Sequence, residues 1–81
     1  MIIKFFIKPR KGVLDPQGRA VAESLKSLGF ESTNKVFVGR YVEVHIEETD
    51  RDKAREMAVD MAKKALVNDL IEDYEFEIVE G

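Results

Sequence analysis

Lys35-Val-Phe-Val-Gly-Arg-Tyr-Val-Glu-Val-His-Ile-Glu47 is the stretch whose reading decides how the rest of the chain must fold. Val36, Val38, Val42, Val44 and Ile46 all stand on even positions, the period-two pattern of a strand with one buried face. The parity survives across Gly39-Arg40, which fits one long strand bent at Gly39, with Arg40 on its apolar face. A two-residue hairpin at Gly39-Arg40 fits as well, giving two strands and placing Arg40 in the turn. In either case Phe37 and Tyr41 are aromatics beside this glycine.

Upstream, Ile2 to Lys8 is β-branched and aromatic, and Ile3, Phe5 and Ile7 share one strand face. The other face holds Ile2, Lys4, Phe6 and Lys8. Two large apolar residues among two lysines make neither a clean solvent face nor a buried one, so Ile2 and Phe6 are candidate subunit contacts. Pro9 to Leu14 reads as a loop. Asp15 fits an N-cap and Pro16 the first helical position, where a missing N–H costs nothing. Val21, Leu25 and Leu28, with Ala22 beside them, form one stripe of the predicted helix, and Gly29 supplies its stop. Gly18 falls in the first turn, where a helix former would be more stable by up to about 1 kcal/mol. Close approach of another backbone is one reason for it; simple tolerance is the other.

Downstream, Thr49 or Asp50 caps a second helix whose stripe is Ala54, Met57, Ala58, Met61, Ala62, Ala65 and Leu66. Such a stripe of Met and Ala is core packing rather than a ligand box. The helix is expected to end near Val67-Asn68, with Asn68 as a left-handed cap. Residues 71–79 form the last strand, with Tyr74, Phe76 and Ile78 inward and Asp73, Glu75 and Glu77 outward. Those three acids read as a solvated or edge-protecting face, because a hard-cation site needs ligands converging from a loop. The order β-α-β(β)-α-β predicts an α+β fold: two helices on one face of a mainly antiparallel sheet, related to the ferredoxin-like split βαβ arrangement.

The chain has 81 residues, of which 44% are hydrophobic and none is Cys. At that size a folded monomer exposes roughly 5,000 Å² and buries only about 63% of its unfolded surface, so residues 1–81 should form a single domain with a thin core. Small domains without disulfides often lean on partners. Thirteen basic against 16 acidic residues argue against a nucleic-acid or anionic-membrane surface. No apolar run approaches the length of a membrane span, and the cytoplasm is the expected compartment. With His45 as the only histidine, a nucleophile–base pair or a zinc site lacks raw material, so no catalytic residue and no metal site is expected. No Gly-rich phosphate loop is present either.

Three segments carry a resemblance: Arg10-Lys-Gly-Val-Leu-Asp-Pro-Gln-Gly18, Val38-Gly-Arg-Tyr-Val-Glu-Val44 and Asn68-Asp-Leu-Ile-Glu-Asp-Tyr-Glu-Phe-Glu-Ile78. Together they resemble the PurS family, the small subunit of phosphoribosylformylglycinamidine (FGAM) synthase, over essentially the whole chain. Family members often have Asn-Pro where Asn68-Asp69 stands, and Lys where Arg40 stands. The resemblance implies a non-catalytic subunit of an ATP-dependent carbon–nitrogen ligase of purine biosynthesis. That ligase converts formylglycinamide ribonucleotide, glutamine and ATP to FGAM, glutamate, ADP and phosphate. It also implies assembly with the PurL synthetase and PurQ glutaminase, help with ammonia transfer, and a homodimer or tetramer. ATP and Mg would be used by the complex, and no cofactor would be held by this chain alone.

Under this reading Ile2, Phe6, Phe37 and Tyr41 are expected at the homodimer contact, and Arg10, Lys11, Asp15, Gln17, Gly18 and Arg40 at contacts with the larger subunits. The competing class is a small-molecule-binding regulatory module of ferredoxin-like type, which should have a ligand pocket at a dimer interface. An RNA-binding sheet is disfavoured by the net charge of −3 and the acidic last strand.

Overall fold

A computed structural model describes residues 1–13 and 15–81; Leu14, in the loop before the first helix, lies outside the described residues. Strand β1 spans Ile2–Pro9, helix α1 Pro16–Ser27, strand β2 Arg40–His45, helix α2 Arg51–Met61 and strand β3 Glu72–Val79. A π-helical turn, Ala62–Leu66, extends α2. The sheet order is β2-β1-β3, and β1 is antiparallel to both neighbours. β2 and β3 therefore run parallel to each other on either side of β1, joined through α2, which is the expected split βαβ unit. The α+β class and the antiparallel pairing are as the sequence predicts.

The core follows from the alternation in β1. Ile3, Phe5 and Ile7 point to one face and are buried, and Ala54, Ala58 and Ala62 of α2 and its π-helical extension lie over that face, fully buried. Small side chains at i, i+4, i+8 let the helix backbone settle close to large β1 residues. Phe5 stands opposite Val42 and Phe76, with its ring centroid 6.2 Å from that of Phe76. Burying Phe5 and Ile3 contributes roughly 1.5–3 kcal/mol each. In the π-helical turn the Val67 amide donates to the Ala62 carbonyl, five residues back, at 2.9 Å. The wider turn takes Ala65 off the buried stripe, and it is exposed.

Neither reading of Gly39-Arg40 holds as expected: the strand is shorter than 35–47 and begins only at Arg40. Arg40 pairs with Ile7, and no hairpin forms, because β2 pairs with β1 rather than with the residues just before it. Residues 34–39 lead into β2 without joining the sheet. Gly39 is needed at the bend because a Cβ there would run into the Ile7 carbonyl. Asn68 is not a left-handed cap: among the described residues only Gly12 and Gly29 have positive φ. Its side chain instead accepts from the Leu70 amide at 3.1 Å, and its carbonyl accepts from Ile71 and Glu72, which turns the chain into β3.

Helix α1 is capped as expected. Asp15 accepts from the Gly18 amide at 3.0 Å, and the helix ends in a paired motif in which Gly29 donates to Lys26 and Phe30 to Leu25. The expectation that both helices share one sheet face is narrowed, however. The buried cover comes from α2, and among the described residues Gly18 is the buried residue of α1. Val21 and Leu28 are 40% and 74% exposed. With residues 34–39, α1 forms an arm beyond the sheet, and the chain is 48 Å long but 14 Å thick.

Candidate functional site

The residues singled out in the sequence gather where the arm leaves the sheet. Asp15 both caps α1 and receives the Val38 amide at 3.2 Å, so one carboxylate clips the helix start to the extended segment. Gly18 sits under that clip. A Cβ on it would collide with the Val36 carbonyl, so close backbone approach, not tolerance, explains this glycine.

Arg40 has the parity of the apolar face, and its charge is met there. Its guanidinium donates to both oxygens of Glu72, at 2.7 and 2.8 Å, and to the Leu66 carbonyl at 2.9 Å, at the end of the π-helical turn. Glu72 also accepts from the Asn68 amide at 2.9 Å. That amide first, and Arg40 second, hold its carboxyl below the usual glutamate range. Arg10 donates from Nε to Asp73 at 3.2 Å, and its backbone amide donates to Ile71. Four of the six expected partner contacts, Arg10, Asp15, Gly18 and Arg40, are thus engaged within the chain and fix the shape of this corner. Lys11 and Gln17 stand exposed beside it.

The outer sheet face brings together Phe6 and Tyr41, paired in register, with ring centroids 5.4 Å apart and side chains 42% and 52% exposed. The Tyr41 hydroxyl donates to Glu43 at 2.6 Å, and His45 Nε2 donates to the other Glu43 oxygen at 2.7 Å. The Glu43 carboxylate pushes the Tyr41 phenol up to about 12. In return the Tyr41 hydroxyl, and then His45, hold Glu43 below its usual range. Lys4 stands between Glu43 and Glu77, and Phe6 between Tyr41 and Glu75. Ile2 shares this face at its far end, beside His45 and Val79, while Phe37 projects from the arm, half exposed. A depression of about 570 Å³ opens on the outer face around Phe6, Tyr41 and Glu75. Among the described residues no group of three His, Cys, Asp or Glu side chains is placed to hold a metal.

Sequence reasoning missed Glu72, and it gave Asn68 the role of a left-handed cap rather than that of a donor to Glu72. The available signal was parity: Glu72 shares the inward positions of Tyr74, Phe76 and Ile78, and an acid there needs a cation, which Arg40 supplies.

Comparison with known proteins is consistent along the whole fold. A family model for PurS, phosphoribosylformylglycinamidine (FGAM) synthase, matches residues 2–80. The chain is 38% identical to the FGAM synthase subunit PurS of Bacillus subtilis over 96% of its own length and 92% of the relative's, and 36% identical to that of Methanocaldococcus jannaschii over 89% and 87%. It superimposes on a B. subtilis PurS structure with a TM-score of 0.83, covering 98% of each chain at 38% identity. A structure of PurLQS from Thermotoga maritima contains a chain that matches with a TM-score of 0.80 at 26% identity, covering 95% of this chain and 96% of that one.

Proposed function

The chain belongs to the PurS family, and from that premise we propose that its contribution to FGAM synthase is architectural, holding the larger subunits together without chemistry of its own. PurS is a subunit of FGAM synthase, the ATP-dependent amidotransferase of purine biosynthesis, and in the T. maritima assembly it stands with PurL and PurQ. The observation that carries the reading is the match of the whole chain, arm and sheet together, to PurS structures. Help with ammonia transfer, a cytoplasmic setting and the use of Mg by the complex belong to the same proposal. Among the described residues no helix is long and apolar enough to cross a membrane.

For the contacts, we assign Lys11 and Gln17 as the exposed groups offered to PurL or PurQ. Arg10, Asp15, Gly18 and Arg40 keep the corner beside them rigid. The test is reconstitution: purified chain added to PurL and PurQ should raise glutamine-dependent FGAM formation severalfold over the two alone. Double substitution Lys11→Ala, Gln17→Ala should lower the apparent affinity of the mixture while leaving the fold intact by circular dichroism. An unchanged rate with and without the chain would refute the reading. Stabilisation by an amino acid or nucleotide alone would favour a regulatory module instead.

A further inference from the structure

Residues 68–71, between the π-helical turn and β3, form a turn whose backbone is fixed from several sides while its side chains face solvent. Leu70 is 83% exposed, more than any other large apolar side chain among the described residues, and Ile71 beside it is 45% exposed. A lone apolar side chain on a surface is ordinary. Two in succession on a braced turn are not, because neither does anything for the turn itself. The Asn68 side chain accepts from the Leu70 amide at 3.1 Å, and its carbonyl accepts from Ile71 and Glu72 at 3.1 and 2.8 Å. Its own amide donates to the Glu72 carboxylate at 2.9 Å. From across the corner the Arg10 amide donates to the Ile71 carbonyl at 2.7 Å, and the Arg40 guanidinium ties Glu72 to the Leu66 carbonyl. None of these bonds involves the side chain of Leu70 or Ile71, and small polar residues or Gly are the usual choice at such positions.

A turn held this firmly can present an apolar side chain to a partner without the entropy cost of ordering a loop at the moment of contact. Its position says which partner. The hydrogen bond from Arg10 to Ile71 sets exposed Lys11 one residue from the turn, so Leu70 and Ile71 continue the surface that Lys11 begins. The turn also lies beyond the last sheet pair, Pro9 with Glu72, and so past the end of the outer face that carries Phe6 and Tyr41.

We infer that Leu70, with Ile71 at its side, is a preformed apolar knob that seats in an apolar socket on a larger synthase subunit, whose rim carries an acid facing Lys11. The inference rests on the reading in which Lys11 and Gln17 meet those subunits, and it names the contact that supplies affinity there. Arg10 and Arg40 act at this contact as positioning residues, holding the turn without touching the partner. Burying one leucine side chain corresponds to roughly tenfold or more in affinity.

The experiment titrates the full-length chain into fixed PurL and PurQ and reads glutamine-dependent FGAM formation, so that the concentration giving half the maximal rate reports affinity. Leu70→Ser should raise that concentration by roughly tenfold or more and leave the rate at saturation unchanged. Leu70→Met, equally apolar and of similar volume, should stay close to wild type. Urea midpoints of both variants should equal that of wild type, because so exposed a side chain contributes little to the fold. A wild-type chain that does not stimulate the two subunits removes the subunit reading itself. Stimulation at the same half-maximal concentration by wild type and Leu70→Ser leaves that reading standing and overturns the knob. Sedimentation velocity separates the other occupant: if Leu70→Ser loosens association between copies of this chain, the knob seats on a second copy and the socket on a larger subunit is refuted.

Discussion

Single residues at this corner have jobs that their type alone does not announce. Alanine at position 18 would gain up to about 1 kcal/mol in helix propensity, yet its methyl would enter the space of the Val36 carbonyl. We expect Gly18→Ala to destabilise the chain by about 1–3 kcal/mol, the range for an overpacked site, as read from urea denaturation. Tyr41 offers a spectroscopic check. Its phenol is held protonated by Glu43, so the folded state keeps a proton that the unfolded state begins to lose near pH 10. The stabilisation is present below pH 10 and disappears as the pH rises toward about 12. Ultraviolet titration should place one phenol near 12 in the native chain, and Glu43→Gln should move that midpoint down toward 10. The cap at Asp15 and the stop at Gly29 were legible in the sequence, because both depend on neighbours within three residues. Glu72 was not, since its partner Arg40 lies 32 positions away.

Among elements, β1, β3 and α2 were readable from periodicity, because each buries one regular face. β2 was ambiguous: the apolar parity runs on through residues 36–38, which do not join the sheet, and the contact that fixes the backbone at Gly39, with the Ile7 carbonyl, comes from another strand. The π-helical turn carried no warning either, since Ala65 continues the helical pattern until the extra residue displaces it. Three elements are tied together by one ion pair: Arg40 at the start of β2, Glu72 at the start of β3, and Leu66 at the end of the π-helical turn. Because Glu72 titrates below its ordinary 4.5 when folded, the pair's contribution is complete above that pH and fades as acid drives the pH through the lower folded value. Glu72→Gln should therefore be less stable than wild type at pH 7, and the difference should close on acidification. Denaturant midpoints across a pH series would reveal it, and a gap that stayed constant into acid would assign the loss to packing instead.

For the molecule as a whole, composition bounded the size but hid the shape. The stripe of Val21, Leu25 and Leu28 looks like any helix that covers a sheet; nothing local says that this sheet already has its cover in α2 and that α1 stands away from it. Nor does a pooled net charge disclose that residues 10–40 are net positive and the remainder net negative. The sheet order holds a last implication, for synthesis. β1 is made before both of its sheet partners and is the central strand, yet one of its neighbours is separated from it by about forty residues and the other by about seventy. A nascent chain must therefore carry Ile3, Phe5 and Ile7 without their strand partners while the intervening residues are made, and the sheet closes only once Glu72–Val79 is available. Such distant pairing makes for slow folding, and during that interval the alternating lysines Lys4 and Lys8 are what stand between this apolar strand and its counterpart on the next polysome-bound chain.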